Sequence, residues 1–236
     1  MVFGDNALVN QASTSAITST STPTQSFSGF NNNATTYPWG VILVSYYTTS
    51  SVTSCATPTG TLLGTVTSIA GPPSPASTVS GSTHFGFCAF SARLNTVTGG
   101  AGTISERLNL AASGSTYISI QMIELTADSA LTFPNSSYNS GTTSTITYNL
   151  NPASTGDTEI LFGVNNNGGG TPRTFTAPTS PTGYTQIADS GAVGPGGNAF
   201  RAAAAIGPAN TPLGTAINGT LSGTASWGTY GIDVKP

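Results

Sequence analysis

Charge is what this sequence has least of. Only 6% of its 236 residues are charged, where an ordinary soluble domain carries about 25%. It has one lysine, Lys235, and four arginines scattered at 93, 107, 173 and 201. Nucleic-acid binding by counterion release needs clustered Lys and Arg, so that class of partner is excluded. A basic helix lying on a membrane is excluded for the same reason. The longest apolar run, 39–44, is broken by Gly40 and is too short to cross a bilayer. Histidine is nearly absent: His84 stands alone. Abundant serine therefore has no base to activate it, and G-x-S-x-G does not occur. One histidine and two separated cysteines cannot complete a zinc site. Gly168, Gly169 and Gly170 lack the Lys-Ser/Thr that a phosphate loop requires. Glycoside hydrolysis needs two facing carboxylates. Of the eight present, Glu124 is a candidate only because there are so few, and the simpler role is a strand-end carboxylate paired with Arg93 or Arg107. The expectation is a protein without catalytic residues, cofactor or metal.

Helical periodicity is missing too. No window places apolar residues at i, i+3, i+4 and i+7 among good helix formers. The alanines 202–205 end at Gly207-Pro208, too soon for an independent helix. What is present is hydroxyl and turn chemistry: 30 serines, 40 threonines, 29 glycines and 15 prolines. Short apolar or β-branched runs alternate with Gly, Pro, Asn and Ser clusters, the mark of an all-β sandwich or barrel. The runs predict strands at 16–20, 25–30, 41–47, 61–69, 84–94, 104–110 and 117–125. A second series follows at 144–150, 159–164, 184–189, 198–206, 215–221 and 230–234. In 117–125 the alternation puts Ile118, Ile120 and Met122 on one face and Tyr117, Ser119 and Gln121 on the other.

The second series repeats the first. Residues 41–46 match 159–164, Pro58-Thr59-Gly60 matches Pro181-Thr182-Gly183, 84–94 matches 198–206, and the closing hairpin 104–125 matches 213–234. This predicts two tandem antiparallel β-sandwich domains, jelly-roll or immunoglobulin-like. Their bounds are 1–130, opening on a Ser/Thr-rich arm, and 131–236, with 128–141 as linker.

Several residues could carry binding or cross-linking. Cys55 and Cys88 form one even pair, compatible with a disulfide or with two buried thiols. Asn33, Asn135 and Asn218 each head an acceptor sequon for N-glycosylation. Trp39 and Trp227 lie at strand starts, the first near Tyr37, Tyr46 and Tyr47. They could form a glycan platform, although aromatics so placed more often plug a sandwich core. Asp157 and Glu159 would share a strand face and, with carbonyls of 165–167, offer a weak calcium site. Lys235 is the only amine available for an intramolecular isopeptide bond. The first residues show no basic and apolar leader, so the reading expects synthesis without a secretory signal.

A near-chargeless, hydroxyl-rich exterior tolerates acid and tolerates burial against neighbours. The opening Asp5-Asn6-Ala7 with its Ser/Thr-rich run, then 41–47, Pro58-Thr59-Gly60, 181–187, Ala202–Ala205 and 222–227, resemble the tandem β-sandwich domains of virion surface proteins. That resemblance implies a structural role as a capsid vertex, decoration or spike component at the virion surface. It implies packing against copies of itself or other capsid proteins, and no catalytic residues. Two alternatives stay open. One is an extracellular filament subunit or adhesin that donates the segment 13–22 as a strand. The other is a carbohydrate-binding module for surface glycans.

Overall fold

Every regular element among the described residues is a β-strand. The computed structural model describes residues 2–3, 9–12, 17–69, 76–126, 130–148, 150, 158–168, 170–171, 173–180, 182–193, 199–207 and 217–235. All thirteen expected strands are present. Thr- and Val-rich runs bounded by Gly, Pro and Asn favour the extended backbone, and nothing between them nucleates a helix.

The strands make two pairs of antiparallel sheets. In the first half the large sheet is built on β5 (Trp39–Thr48), β9 (Thr83–Leu94) and β11 (Gly114–Thr126). Beyond β9 lie β7 (Leu63–Ser68) and β8 (Ala76–Ser80). Beyond β11 the N-terminal arm contributes β1 (Val2–Phe3), β2 (Val9–Ala12) and β3 (Ile17–Thr20), laid end to end along that one strand. The small sheet facing it has the order β4 (Thr24–Asn32), β10 (Val97–Leu110), β6 (Val52–Cys55). In the second half the large sheet runs β12 (Ser136–Gly141), β19 (Ser226–Val234), β14 (Thr158–Asn167), β17 (Ala199–Gly207), β16 (Thr185–Val193). Its small sheet runs β13 (Thr145–Tyr148), β18 (Ile217–Leu221), β15 (Phe175–Ser180). The expected linker is thus partly a strand, because residues 136–141 pair with β19.

Numbered 1 to 8 along the chain, the second half has a large sheet of order 1-8-3-6-5 facing a small sheet of order 2-7-4. The first half repeats this, with β7 and β8 together in position 5. That is the winding of a jelly roll, not the ABED and CFG sheets of an immunoglobulin domain.

Between the sheets lie three apolar layers. Ile42, Val44, Tyr46, Ile118, Ile120 and Met122 face the first small sheet and meet Phe27, Phe30, Ile104 and Leu108. Leu161, Ala203, Ala205 and Trp227 face the second and meet Ile146, Ile217 and Phe175. The third layer lies between the two large sheets: Val41, Leu43, Phe85, Phe87, Ile123 and Leu125 of one meet Ile160, Phe162, Ala204, Tyr230 and Ile232 of the other. The molecule is therefore a stack of four sheets. Its central strands are buried on both faces, which is why β5 and β14 read as near-continuous apolar runs. The same stacking sets the surroundings of Tyr117, Ser119 and Gln121. They do point away from Ile118 and Ile120, but the second large sheet covers them and all three are buried.

The halves meet reciprocally: β12 lies by β8, and β16 lies by β2. This is the arrangement of a two-fold contact. The Thr78 and Tyr138 hydroxyls hydrogen-bond across the seam. Asn166 Nδ2 donates to Thr83 Oγ1 at 3.2 Å, and Ser226 Oγ donates to Ser80 Oγ at 3.1 Å. Phe87 stacks on Tyr230 with ring centroids 6.3 Å apart.

Candidate functional site

The two cysteines are bonded. Cys55 on β6 and Cys88 on β9 have Cα atoms 6.4 Å apart, so the bridge ties the first small sheet to its large sheet through the core. Asn33 is exposed and caps its own turn, its Oδ1 accepting from the Thr35 amide. Asn135 is half-buried, and its carbonyl accepts from the Asp233 amide. Asn218 points outward from β18 and accepts from Thr147 Oγ1 at 3.0 Å. Lys235 is exposed, and its backbone bridges to Thr132.

The structure removes most of the aromatic platform. Tyr46 and Tyr47 are buried at 0% and 1% exposure, and Trp227 is buried at 5% among the second core layer. Their indole and phenol rings fill sandwich interiors and present no face to a glycan. Of the proposed calcium ligands, Asp157 lies outside the described residues. Asn165, Asn166 and Asn167 are strand residues whose amides are committed to Arg173 O, Thr83 Oγ1 and Thr171 O. Glu159 stands six residues back on β14, about 20 Å away at the rise of an extended strand, so these groups do not converge. Among the described residues no cluster of three His, Cys, Asp or Glu side chains could hold a metal.

Four carboxylates are sunk into the cores. Glu106 shares the inward face of β10 with Ile104 and Leu108 and is 1% exposed. Burial pushes its carboxyl up to about 9, against a smaller opposing pull from the backbone amide and charge of Arg107. Glu124 is wholly buried on the face of β11 that meets the first small sheet, and burial raises it to about 7. Neither oxygen of Glu124 has a hydrogen-bond partner among the described residues. The ion pair expected between Glu124 and Arg93 or Arg107 is absent. Glu124 and Arg93 lie on opposite faces of the large sheet, and Arg107 points outward from β10. Glu124 instead floors a cavity of about 360 Å³ beside Asn31, Asn33, Tyr37 and Thr98. In the second half Glu159 and Asp233 are opposite in register on β14 and β19, both buried. The Tyr184 hydroxyl donates to Glu159 Oε2. Its ring lies over Gly207, where any Cβ would collide with it. The sequence carried no sign of this group, because its members are 25 and 74 residues apart and meet only through the strand order.

Trp39, like Tyr37, borders open space. The layer shared by the two large sheets ends at residues that are only partly buried. There Trp39 opens β5, opposite Arg93 of β9, and Ser91 of β9 is opposite Thr67 of β7. The Arg93 guanidinium lies 4.8 Å from the centre of the Trp39 ring. Ala130, Leu131 and Phe133 from the connector between halves form the remaining wall. The result is a cavity of about 220 Å³ lined by Trp39, Thr65, Thr67, Ser68, Ser91 and Arg93 with those three connector residues. Among the described residues no acidic side chain lines it. Trp39 Nε1 is buried and has no hydrogen-bond acceptor among the described residues. Comparison with protein-family models, curated proteins and solved structures found no match to this chain.

Proposed function

We infer that this chain is a non-enzymatic structural protein of a virion surface: a vertex, decoration or spike component that assembles with copies of itself or with other capsid proteins. The observation that carries the reading is the jelly-roll winding made twice and stacked face to face. Viral shells, lectins and cupins use jelly rolls. Two features favour the shell among these. The outward faces of the small sheets are covered by hydroxyls: Thr24, Ser26 and Ser28 beside Thr103 and Ser105 in one, Thr145, Thr176 and Thr220 in the other. Arg107, opposite Thr24, is the one charged side chain among these outward strand positions, so such faces pack against a neighbour with little charge to strand. The four carboxylates whose burial is described, Glu106, Glu124, Glu159 and Asp233, are all interior, so acid leaves that described exterior unchanged.

The reading is tested on the native source and on purified protein. Electron microscopy should locate the chain at regular positions on a particle, and light scattering should show a defined oligomer. A chain recovered only as a free monomer, with no particle or polymer in its source, overturns the reading.

A further inference from the structure

We propose that the cavity at Trp39 and Arg93 binds the carboxylate end of an acidic sugar. Its lining is biased towards hydrogen-bond donation. Arg93 brings a fork of N–H groups that matches a planar carboxylate, and among the described lining residues none is acidic. Trp39, whose Nε1 is buried and has no acceptor among the described residues, serves as the platform that holds the guanidinium in place. Ser91 and Thr67, opposite each other in the ladder, supply hydroxyls that both donate and accept. They suit the hydroxyls next to a sugar carboxylate better than a bare anion. Leu131 and Phe133 give an apolar wall for the C–H face of the ring. At about 220 Å³ the cavity takes one terminal residue and not an oligosaccharide chain. It lies where two units of structure meet, a usual location for ligand sites. The guanidinium covers one face of the indole, so a carboxylate held on Arg93 is felt by the Trp39 ring through that contact.

The proposal does not depend on the assembly reading, and its test has a separate readout. The chain has two tryptophans, so its indole N–H region should hold two resonances, assigned with Trp39→Phe. Trp227, buried in the other half, is an internal reference. N-acetylneuraminic acid and glucuronic acid are titrated beside glucose and sodium sulfate. The expected result is a saturable shift of the Trp39 resonance alone with at least one acidic sugar, at a dissociation constant of about 1 mM, typical of a weak single-residue contact. Arg93→Gln should weaken that binding at least tenfold while leaving the Trp227 resonance in place, which certifies the fold. A Trp39 resonance unmoved by both acidic sugars overturns the proposal. So does an equal shift with glucose or with sulfate, or wild-type binding by Arg93→Gln.

Discussion

Glu106 occupies an inward position of β10 that apolar neighbours on either side would lead one to fill with leucine. Its carboxyl is raised to about 9, whereas the unfolded chain ionises near 4.5. The folded state therefore holds a proton that the unfolded state has lost between those two values. Stability from this group is fully present below about pH 4.5, falls as the pH rises towards 9, and is level beyond. Glu124, raised to about 7, adds the same slope between 4.5 and 7. The fall attributable to Glu106 between pH 4.5 and 7 is on the order of 3 kcal/mol. Denaturation midpoints measured from pH 4 to 9 should decline steadily. Glu106→Gln should flatten most of that decline; an unchanged slope in the variant would assign the effect elsewhere. A second residue-scale expectation concerns Gly207. Alanine there meets the Tyr184 ring, so the ring must move and its bond to Glu159 must break. Gly207→Ala should destabilise by about 1–3 kcal/mol, and Tyr184→Phe in the same background should cost little more.

At the level of elements, the disulfide between β6 and β9 closes a loop of sequence separation 33. The chain-entropy estimate for such a loop is about 3–4 kcal/mol. Paired replacement by alanine, followed by guanidinium denaturation, should lower stability by that amount. The strands themselves were legible in the sequence. Runs such as 41–47 and 84–94 have β-branched and aromatic residues between unmistakable turn signals, and the repeat between 41–46 and 159–164 matches β5 with β14. The short strands β6, β8 and β15 were not legible, because they are hydroxyl-rich segments that differ little from loops until a partner strand fixes them. The alternation that puts Ser119 and Gln121 opposite Ile118 and Ile120 was legible, but alternation reports that two faces differ, not what covers each. Of the candidate site, Trp39 could be picked out and Trp227 looked equivalent to it. Only the stacking separates them, one at the partly buried end of the shared layer and one within a core. Arg93, Thr67 and Phe133 join Trp39 across connections too long for any local pattern to show.

The whole molecule folds around a layer that belongs to both halves. Phe87 and Phe162 come from different halves and lie in the same cluster, so neither half can expose its large sheet without uncovering apolar surface on the other. The chain offers a direct measurement, since it has one tryptophan on each side. Single-tryptophan variants made with Trp39→Phe or Trp227→Phe should report coincident urea midpoints. Phe162→Ala should lower the stability reported by both indoles together, by about 3–5 kcal/mol. Two separated midpoints, with only one moved by Phe162→Ala, would mean that the shared layer contributes little.

The central position of the large sheets also fixes what is left outside. With sheets packed about 10 Å apart, the two small sheets are parallel plates about 30 Å from one another, and they look in opposite directions. They have the same winding and similar hydroxyl coatings, so the molecule has two like-textured ends along its stacking axis. A neighbour set against one end leaves the other open to the next, and such head-to-tail contact has no internal stop. Rows or tiled layers, terminated by something other than this chain, are the natural products of that geometry.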